Sequence, residues 1–452
     1  MSKLVKISKG LDIKLIGESD KVLNNAPNSK LYAIKPADFH GLTPKMVVKE
    51  GEKVKAGTII FFDKYNDVVK FASPVSGTLK EIKRGEKRKI LEVIIEADNE
   101  ISYEEGQKVD VNTADAEKIK EVLLNNGLWP FIKQRPIDII ANPKNEPKAI
   151  FISAFDSAPL APDYDFVLKD EKDNFQTGVN ALAKLTKGKV HLNVRGDVKV
   201  ADVFNVNNVQ VNKFVGPHPA GNVGIQIHHI DPINKGEYVW VVNPQDVAII
   251  GRYLNTGKFD LTKIINLAGS EIKSPRYYKV ISGATVADII GDNLTNDHVR
   301  YISGNPLTGD KVDKNGFLGF YHNQITVIPE GDRYKFFLTE GWLSPGFKSF
   351  SASRAYCSWL MPNKKYRLDT NLNGEERAFV VSGQYEKVLP MDIYPVYLVK
   401  SIITNDIDGM EKLGIYEVSP EDFALCEFVC TSKINVQDII RNGLDVVQKE
   451  CL

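Results

Sequence analysis

The stretch from Tyr32 to Ala97 constrains this chain most, because it is made of short apolar runs broken by glycine and has no helical period. MVVKEGEKVKAGTIIFF is followed by VVKFASPVSGTLKEIKRGEKRKILEVII, and the two parts repeat one another, VKEGEK at Val48–Lys53 and IKRGEK at Ile82–Lys87. Each repeat sets a glycine where a tight turn calls for a positive φ. The region therefore reads as a duplicated set of short strands.

With EG-x-x-V-x-x-G from Glu50 and S-P-x-S-G from Ser73, this stretch resembles the biotinyl/lipoyl domain, a flattened barrel of two like halves. That family acylates a lysine at a hairpin tip. Counting back from Ser73-Pro74, the position falls on Asn66; Lys64 lies two residues away but lacks the flanking Met or Ala. The resemblance therefore implies an unmodified barrel serving as scaffold. Lys80–Lys89 holds six basic residues in ten, a charge run that fits a solvated hairpin and could also face anionic headgroups or an acidic partner.

At 452 residues the chain exceeds what one core supports, so several domains are expected. Lys plus Arg and Asp plus Glu both number 58, which leaves no global field for nucleic acid. Four cysteines, Cys357, Cys426, Cys430 and Cys451, are too few for a disulfide framework and favour a reducing, cytoplasmic setting. The basic N-terminus has no apolar h-region, and the most apolar stretches, Ala149–Phe155 and Tyr238–Val242, are far shorter than the ~20 residues that span a bilayer. Membrane contact is expected to be peripheral.

From Ala114 to Asn126, Ile119, Val122 and Leu123 fall at helical spacing. The strand Lys148–Phe155, a helix near Asn174–Leu185 and the strand Lys189–Val194 then alternate, which predicts a sheet with helices on both faces. No G-x-G-x-x-G or G-x-x-x-x-G-K-[ST] loop occurs; the nearest, Gly304–Lys311, lacks the required Lys and hydroxyl positions. Independent NADH or ATP binding is not expected.

GPHPAGNVGIQIHHI gathers His218, His228 and His229 with Pro217, Pro219 and Gly221. Read as a strand, the segment turns His228 and His229 to opposite faces, so no metal site is expected. A rigid loop presenting backbone to a ligand or partner is the expected role.

In order along the chain, FHGLTPKMVVKEG, SPVSG, RGEKR, GLWPFIKQRP, AIFISAFDSAPLAPD, GKVHL, GPHPAGNVGIQIHHIDP and QDVAIIGRYLNTG are similar to the A subunit of the bacterial sodium-translocating NADH:quinone oxidoreductase. The resemblance implies an α+β multidomain chain: a biotinyl/lipoyl-like barrel-sandwich domain in 1–100, an α/β Rossmann-like domain in 101–257, a β-grasp domain of the SLBB type in 258–330 and a C-terminal helical region in 331–452. It implies a peripheral component on the cytoplasmic face of the bacterial inner membrane, within a six-subunit complex that oxidises NADH, reduces ubiquinone or menaquinone and pumps sodium outward. Flavins, the NADH site and iron centres are then expected in other subunits, with no catalytic residue, metal or bound cofactor in this one. Membrane subunits, chiefly the B subunit, and the quinone are the expected partners. Pro217, His218, Pro219, Gly221, His228, His229 and Trp342 are the candidate quinone or partner contacts. A ferredoxin:NAD oxidoreductase subunit that has lost its clusters, or an unmodified carrier-type scaffold, is the alternative.

Near the C-terminus, Ser419 and Asp422 form a variant capping box, and Cys426 and Cys430 fall one turn apart on a predicted helix face. Related oxidoreductases carry C-x-x-C-x-x-C-x-x-x-C-P here; this chain keeps only the last C-x-x-x-C, with Thr431 in place of proline, so the cysteines are expected to pack rather than ligate. Between the β-grasp region and these helices, Trp342, Phe347, Phe350, Tyr356 and Trp359 suit docking on a membrane-embedded partner.

Overall fold

A computed structural model describes residues 3–352 and 356–451. The α/β region is a seven-stranded sheet in the order Leu4–Lys6, Gln210–Val215, Lys189–Arg195, Ala149–Ser153, Val239–Val241, Lys133–Arg135, Ile139–Ile140. The first five strands are mutually parallel, and the two pairings that follow, of Lys133–Arg135 with Val239–Val241 and with Ile139–Ile140, are antiparallel. Alternation along Ala149–Ser153 sets its layers. Ile150 and Ile152 face a core with Phe175, Val179 and Leu182 of the helix Lys172–Lys184, whereas Ala149 and Phe151 meet Val223 and Ile227 on the other side.

The helices Lys172–Lys184 and Pro244–Thr256 pack so closely that a Cβ on Gly178 would stand 2.1 Å from the Val247 carbonyl oxygen, and one on Gly251 1.8 Å from that of Asn174. The helix read over Ala114–Asn126 runs Ala116–Asn125, its N-terminus capped by the Asp115 side chain accepting from the Lys118 amide.

The barrel is a four-stranded and a three-stranded sheet spanning residues 31–97. Gly51 has φ +86, as its repeat predicts, but Gly85 does not take a positive φ; in the second repeat Lys87 and Arg88 do so instead. Asn66 is not the hairpin tip. It opens the strand Asn66–Ala72 and pairs with Asp63, which leaves Lys64 and Tyr65 as the two-residue turn, the Lys64 ammonium 5.6 Å from the Tyr65 ring centroid.

A fourth, six-stranded sheet runs Asp310–Val312, Val299–Ser303, Gln324–Pro329, Thr262–Ala268, Arg276–Ile281, Asp20–Asn25. The first 25 residues thus stand apart from the barrel: Leu4–Lys6 pairs with Gln210–Val215 and Asp20–Asn25 with Arg276–Ile281. The expected C-terminal helical region is helical mainly from Tyr385 onward. Before it, the described part of residues 331–384 is a nearly helix-free strap, fastened by Arg367 to Glu271 (2.8 Å) and a bridge between Leu15 and Tyr366, and tied internally by Lys335 to Asp369 (2.9 Å). The helices that follow close on Val396, Val399, Met410, Phe423, Leu444 and Val447.

Candidate functional site: the junction around Gly216–Asp231

The segment predicted as a strand is a loop followed by the helix Val223–Ile230. Val223, Ile225 and Ile227 alternate as they would in a strand; packing decides, because Val223 and Ile227, one helical turn apart, both reach the sheet while Ile225 joins the C-terminal core. Neighbours on a helix diverge by about 100° rather than lying on opposite faces. His228 and His229 accordingly touch edge to face at 5.3 Å between ring centroids but serve different partners.

His228 Nε2 accepts the Asp392 amide at 3.0 Å, so the proton sits on Nδ1, which lies 2.7 Å from the Glu417 carboxylate. His229 Nδ1 lies 2.9 Å from the Ile225 carbonyl of its own helix. His218 is 4% exposed; its amide donates to Asp12 and its carbonyl accepts from Leu11. The Gly221 amide donates to Ser157 Oγ at 2.8 Å, and the Ser157 hydroxyl lies 3.0 Å from His218 Nδ1. Burial alone pulls the His218 pKa down to about 4, so the ring is neutral. Pro217 is half-buried, and Pro219 and Gly221 are buried; a Cβ on Gly221 would meet the Ser157 amide nitrogen at 2.5 Å. The three histidines therefore do not share one open surface. His218 and His228 tie the entry loop and the helix to other parts of the chain, and His229 bonds within the helix itself.

Sequence reasoning missed the ionic cluster beside this helix. Arg135, 4% exposed, lies 3.4 Å from Asp138, 3.5 Å from Asp422 and 3.6 Å from Glu421. Lys133 reaches Asp138 at 2.7 Å, and Arg441 donates to the Ile137 carbonyl at 2.6 Å. Burial works to raise the Asp138 pKa, but Arg135, Lys133 and Arg441 outweigh it and hold the carboxyl far below the usual range. For Asp422 burial wins against Arg135 and Ser419, and its pKa is raised. The Ser419–Asp422 capping box forms as predicted, and it holds this carboxylate over Gly224, where a Cβ would stand 2.3 Å from Asp422 Oδ2. The cluster clamps the antiparallel edge of the α/β sheet to the C-terminal helices. No sequence signal joins residues this far apart.

In a parallel sheet the default ligand crevice opens at the strand C-termini where the order reverses, here between Ala149–Ser153 and Val239–Val241. This chain fills it with its own side chains. Asn243 and Asn323 both donate to the Tyr164 hydroxyl, at 3.0 and 3.3 Å, and the Tyr277 hydroxyl accepts the Asp163 amide at 2.9 Å. Asn266 donates to the Leu160 carbonyl at 2.6 Å. Next to this plug, Lys263 donates to the Phe320 and His322 carbonyls at 3.0 and 2.7 Å. Burial pulls its pKa down, and burial pushes that of its charge partner Asp246 up.

Cys426 and Cys430 are buried in the C-terminal core, but the helix Ala424–Phe428 ends between them, and the Tyr385 hydroxyl lies 3.0 Å from Cys430 Sγ. Among the described residues no three His, Cys, Asp or Glu side chains gather to hold a metal ion. Trp342, Phe347 and Trp359 are 73, 60 and 54% exposed, while Phe350 packs against Tyr366 and Phe428. A second apolar surface, unforeseen from sequence, is a shallow depression walled by Tyr394 and Tyr397. Among the described residues no helix is long and apolar enough to cross a membrane.

Three family models match in order: an NqrA N-terminal barrel-sandwich hybrid domain over residues 5–98, an NqrA second alpha/beta domain over 114–259 and an NQRA C-terminal, SLBB-type domain over 264–314. The A subunit of the Na(+)-translocating NADH-quinone reductase of Neisseria meningitidis serogroup A is 37% identical over 450 residues, 99% of this chain and all of that one. Its namesake in Haemophilus influenzae PittGG is 37% identical over 451 residues, and that of Shewanella frigidimarina 35% over 452, each again covering 99% of this chain and 100% of the relative. A chain of an NAD+-reducing [NiFe]-hydrogenase is far more remote, at 11% identity and a TM-score of 0.38 over 77% of this chain and 67% of the other. With the three domain types in order and more than a third of its residues shared with these relatives from end to end, the chain belongs to the NqrA family, the A subunits of Na(+)-translocating NADH-quinone reductases.

Proposed function

We propose that this chain is a noncatalytic scaffold of a sodium-translocating NADH:quinone reductase, held at the cytoplasmic face of the bacterial inner membrane by the membrane subunits, chiefly the B subunit. On this reading flavins, the NADH site and iron centres lie in partner subunits, and this chain braces the quinone end. The observation that carries the proposal is the plugged crevice: where a parallel sheet ordinarily takes a nucleotide, Tyr164, Asn243, Asn266, Tyr277 and Asn323 bond to one another or to the chain's own backbone. His218, His228 and His229 likewise spend nitrogens within the fold. Quinone, if it touches this chain, then meets a surface such as that around Trp342 rather than these rings. Exposed Trp342 and Phe347 are the proposed contacts with the membrane subunits.

The test is to assemble the complex with and without this chain. NADH oxidation by a small artificial acceptor is expected to persist without it, while quinone reduction falls. Loss of both activities, or a flavin that copurifies with the isolated chain, would overturn the scaffold reading.

A further inference from the structure

The basic run flagged in the sequence forms the hairpin between the strands Gly77–Arg84 and Ile90–Ala97. Two of its six cations are paired: Lys80 lies 3.9 Å from Glu96 and Lys83 3.1 Å from Glu92. Arg84, Lys87, Arg88 and Lys89 are exposed and, among the described residues, have no acidic partner; Arg84 donates only to the Arg88 carbonyl, at 3.2 Å. Lys87 and Arg88 take φ of +51 and +61 at the turn. Between Arg84 and Lys89 the only acid is Glu86. Glu50 and Glu52 on the adjoining loop accept backbone amides, of Ile82 at 2.7 Å and Lys49 at 3.2 Å. Glu81 is exposed nearby. The half-exposed Leu91 packs beneath Gly85.

In a chain whose formal charge is zero, four unpaired cations on one ordered turn make a strong local field. A protein interface core is depleted in Lys and enriched in aromatics, and this turn has no aromatic residue. Long, convex, unpaired cations instead match a diffuse anionic layer, where each Lys or Arg contributes roughly five-fold to binding.

We propose that the Arg84–Lys89 turn is a docking surface for anionic phospholipid headgroups, placing the barrel against the bilayer beside the membrane subunits. It adds a lipid contact to the scaffold reading, rests on that reading only for the presence of a membrane, and is tested without the complex. The purified full chain is mixed at low salt with vesicles of phosphatidylcholine alone or with phosphatidylglycerol added. Co-sedimentation is expected only with the anionic vesicles and is expected to weaken as salt rises. K87Q/R88Q/K89Q is expected to lower it roughly a hundred-fold, whereas removing three exposed charges elsewhere with K144Q/K199Q/K314Q changes it little. The turn variant should unfold at the wild-type midpoint, since all three side chains are exposed. Equal binding to both vesicle types, equal losses in the two variants, or no binding at all overturns the proposal. So does a turn variant that keeps vesicle binding but drops out of the assembled complex, because the surface would then meet a protein.

Discussion

His218 offers the sharpest test of the junction. Its ring is 4% exposed, and burial holds its pKa at about 4 against an ordinary 6.5. The unfolded chain therefore binds a proton at this residue between pH 6.5 and 4 that the native chain refuses. Stability from the neutral ring is complete above pH 6.5 and is lost as the pH falls toward 4. At pH 5 the unfolded ring is almost wholly protonated and the native ring about one-tenth so, a loss of about 2 kcal/mol relative to pH 8. His191, also pulled to about 4 by burial, and His322, pulled to about 3 by burial and nearby lysines, add similar amounts. Asp246 and Glu421, whose pKa values burial pushes up to about 7, gain stability over the same window, so the informative reading from urea unfolding followed by tryptophan fluorescence is the difference between wild type and H218Q. H218Q, which gives up the Ser157 contact, is expected to cost about 1–3 kcal/mol at pH 8 but to lose about 2 kcal/mol less than the wild type between pH 8 and 5. If folded H218Q loses as much between pH 8 and 5 as the wild type, burial of this ring is not what disfavours its charge.

Other perturbations probe the same junction and the exposed strap. R135M strands Asp138 and Asp422 without their buried guanidinium and should destabilise the chain by about 3–5 kcal/mol, seen as earlier protease cutting between the α/β sheet and the C-terminal helices. G224A adds a helix-favouring residue worth about 1 kcal/mol, yet its Cβ would stand 2.3 Å from Asp422 Oδ2; the variant should melt lower than the wild type, and a higher midpoint would refute the clash. F423A empties a fully buried ring site in the C-terminal core and should cost about 3–5 kcal/mol in denaturant titration. W342A/F347S should leave the isolated chain within about 0.5 kcal/mol of wild type, since both rings are mostly exposed, but weaken assembly with the membrane subunits in a pull-down.

Where local pattern and tertiary packing agree, the sequence was legible. The barrel strands, the helix Ala116–Asn125 and the Ser419–Asp422 box follow from turn glycines, apolar spacing and capping residues. The helix Val223–Ile230 did not, because its apolar run fits a buried strand equally well and only the contacts of Val223 and Ile227 choose between them. Leu4–Lys6 is too short to carry a signal and becomes a strand only by pairing with Gln210–Val215. The Tyr164 plug and the Arg135 cluster are assembled from several elements, and no spacing rule could have found them. The position of Asn66 shows a subtler limit: motif counting fixed its place in the sequence, but hairpin register put Lys64 and Tyr65 at the tip.

The pairing of Leu4–Lys6 with Lys213–Val215, and of Asp20–Asn25 with residues of Arg276–Ile281, also sets a timetable. A ribosome adds roughly 5–20 residues per second, so the amino end waits tens of seconds before its neighbouring strands exist. The barrel, whose ladders close within residues 31–97, can form long before then. Leu4–Lys6 must therefore stay unpaired until the barrel and much of the α/β sheet have been synthesised and Asp20–Asn25 for longer still, and a pause in translation before Gln210 would leave both without their partner strands.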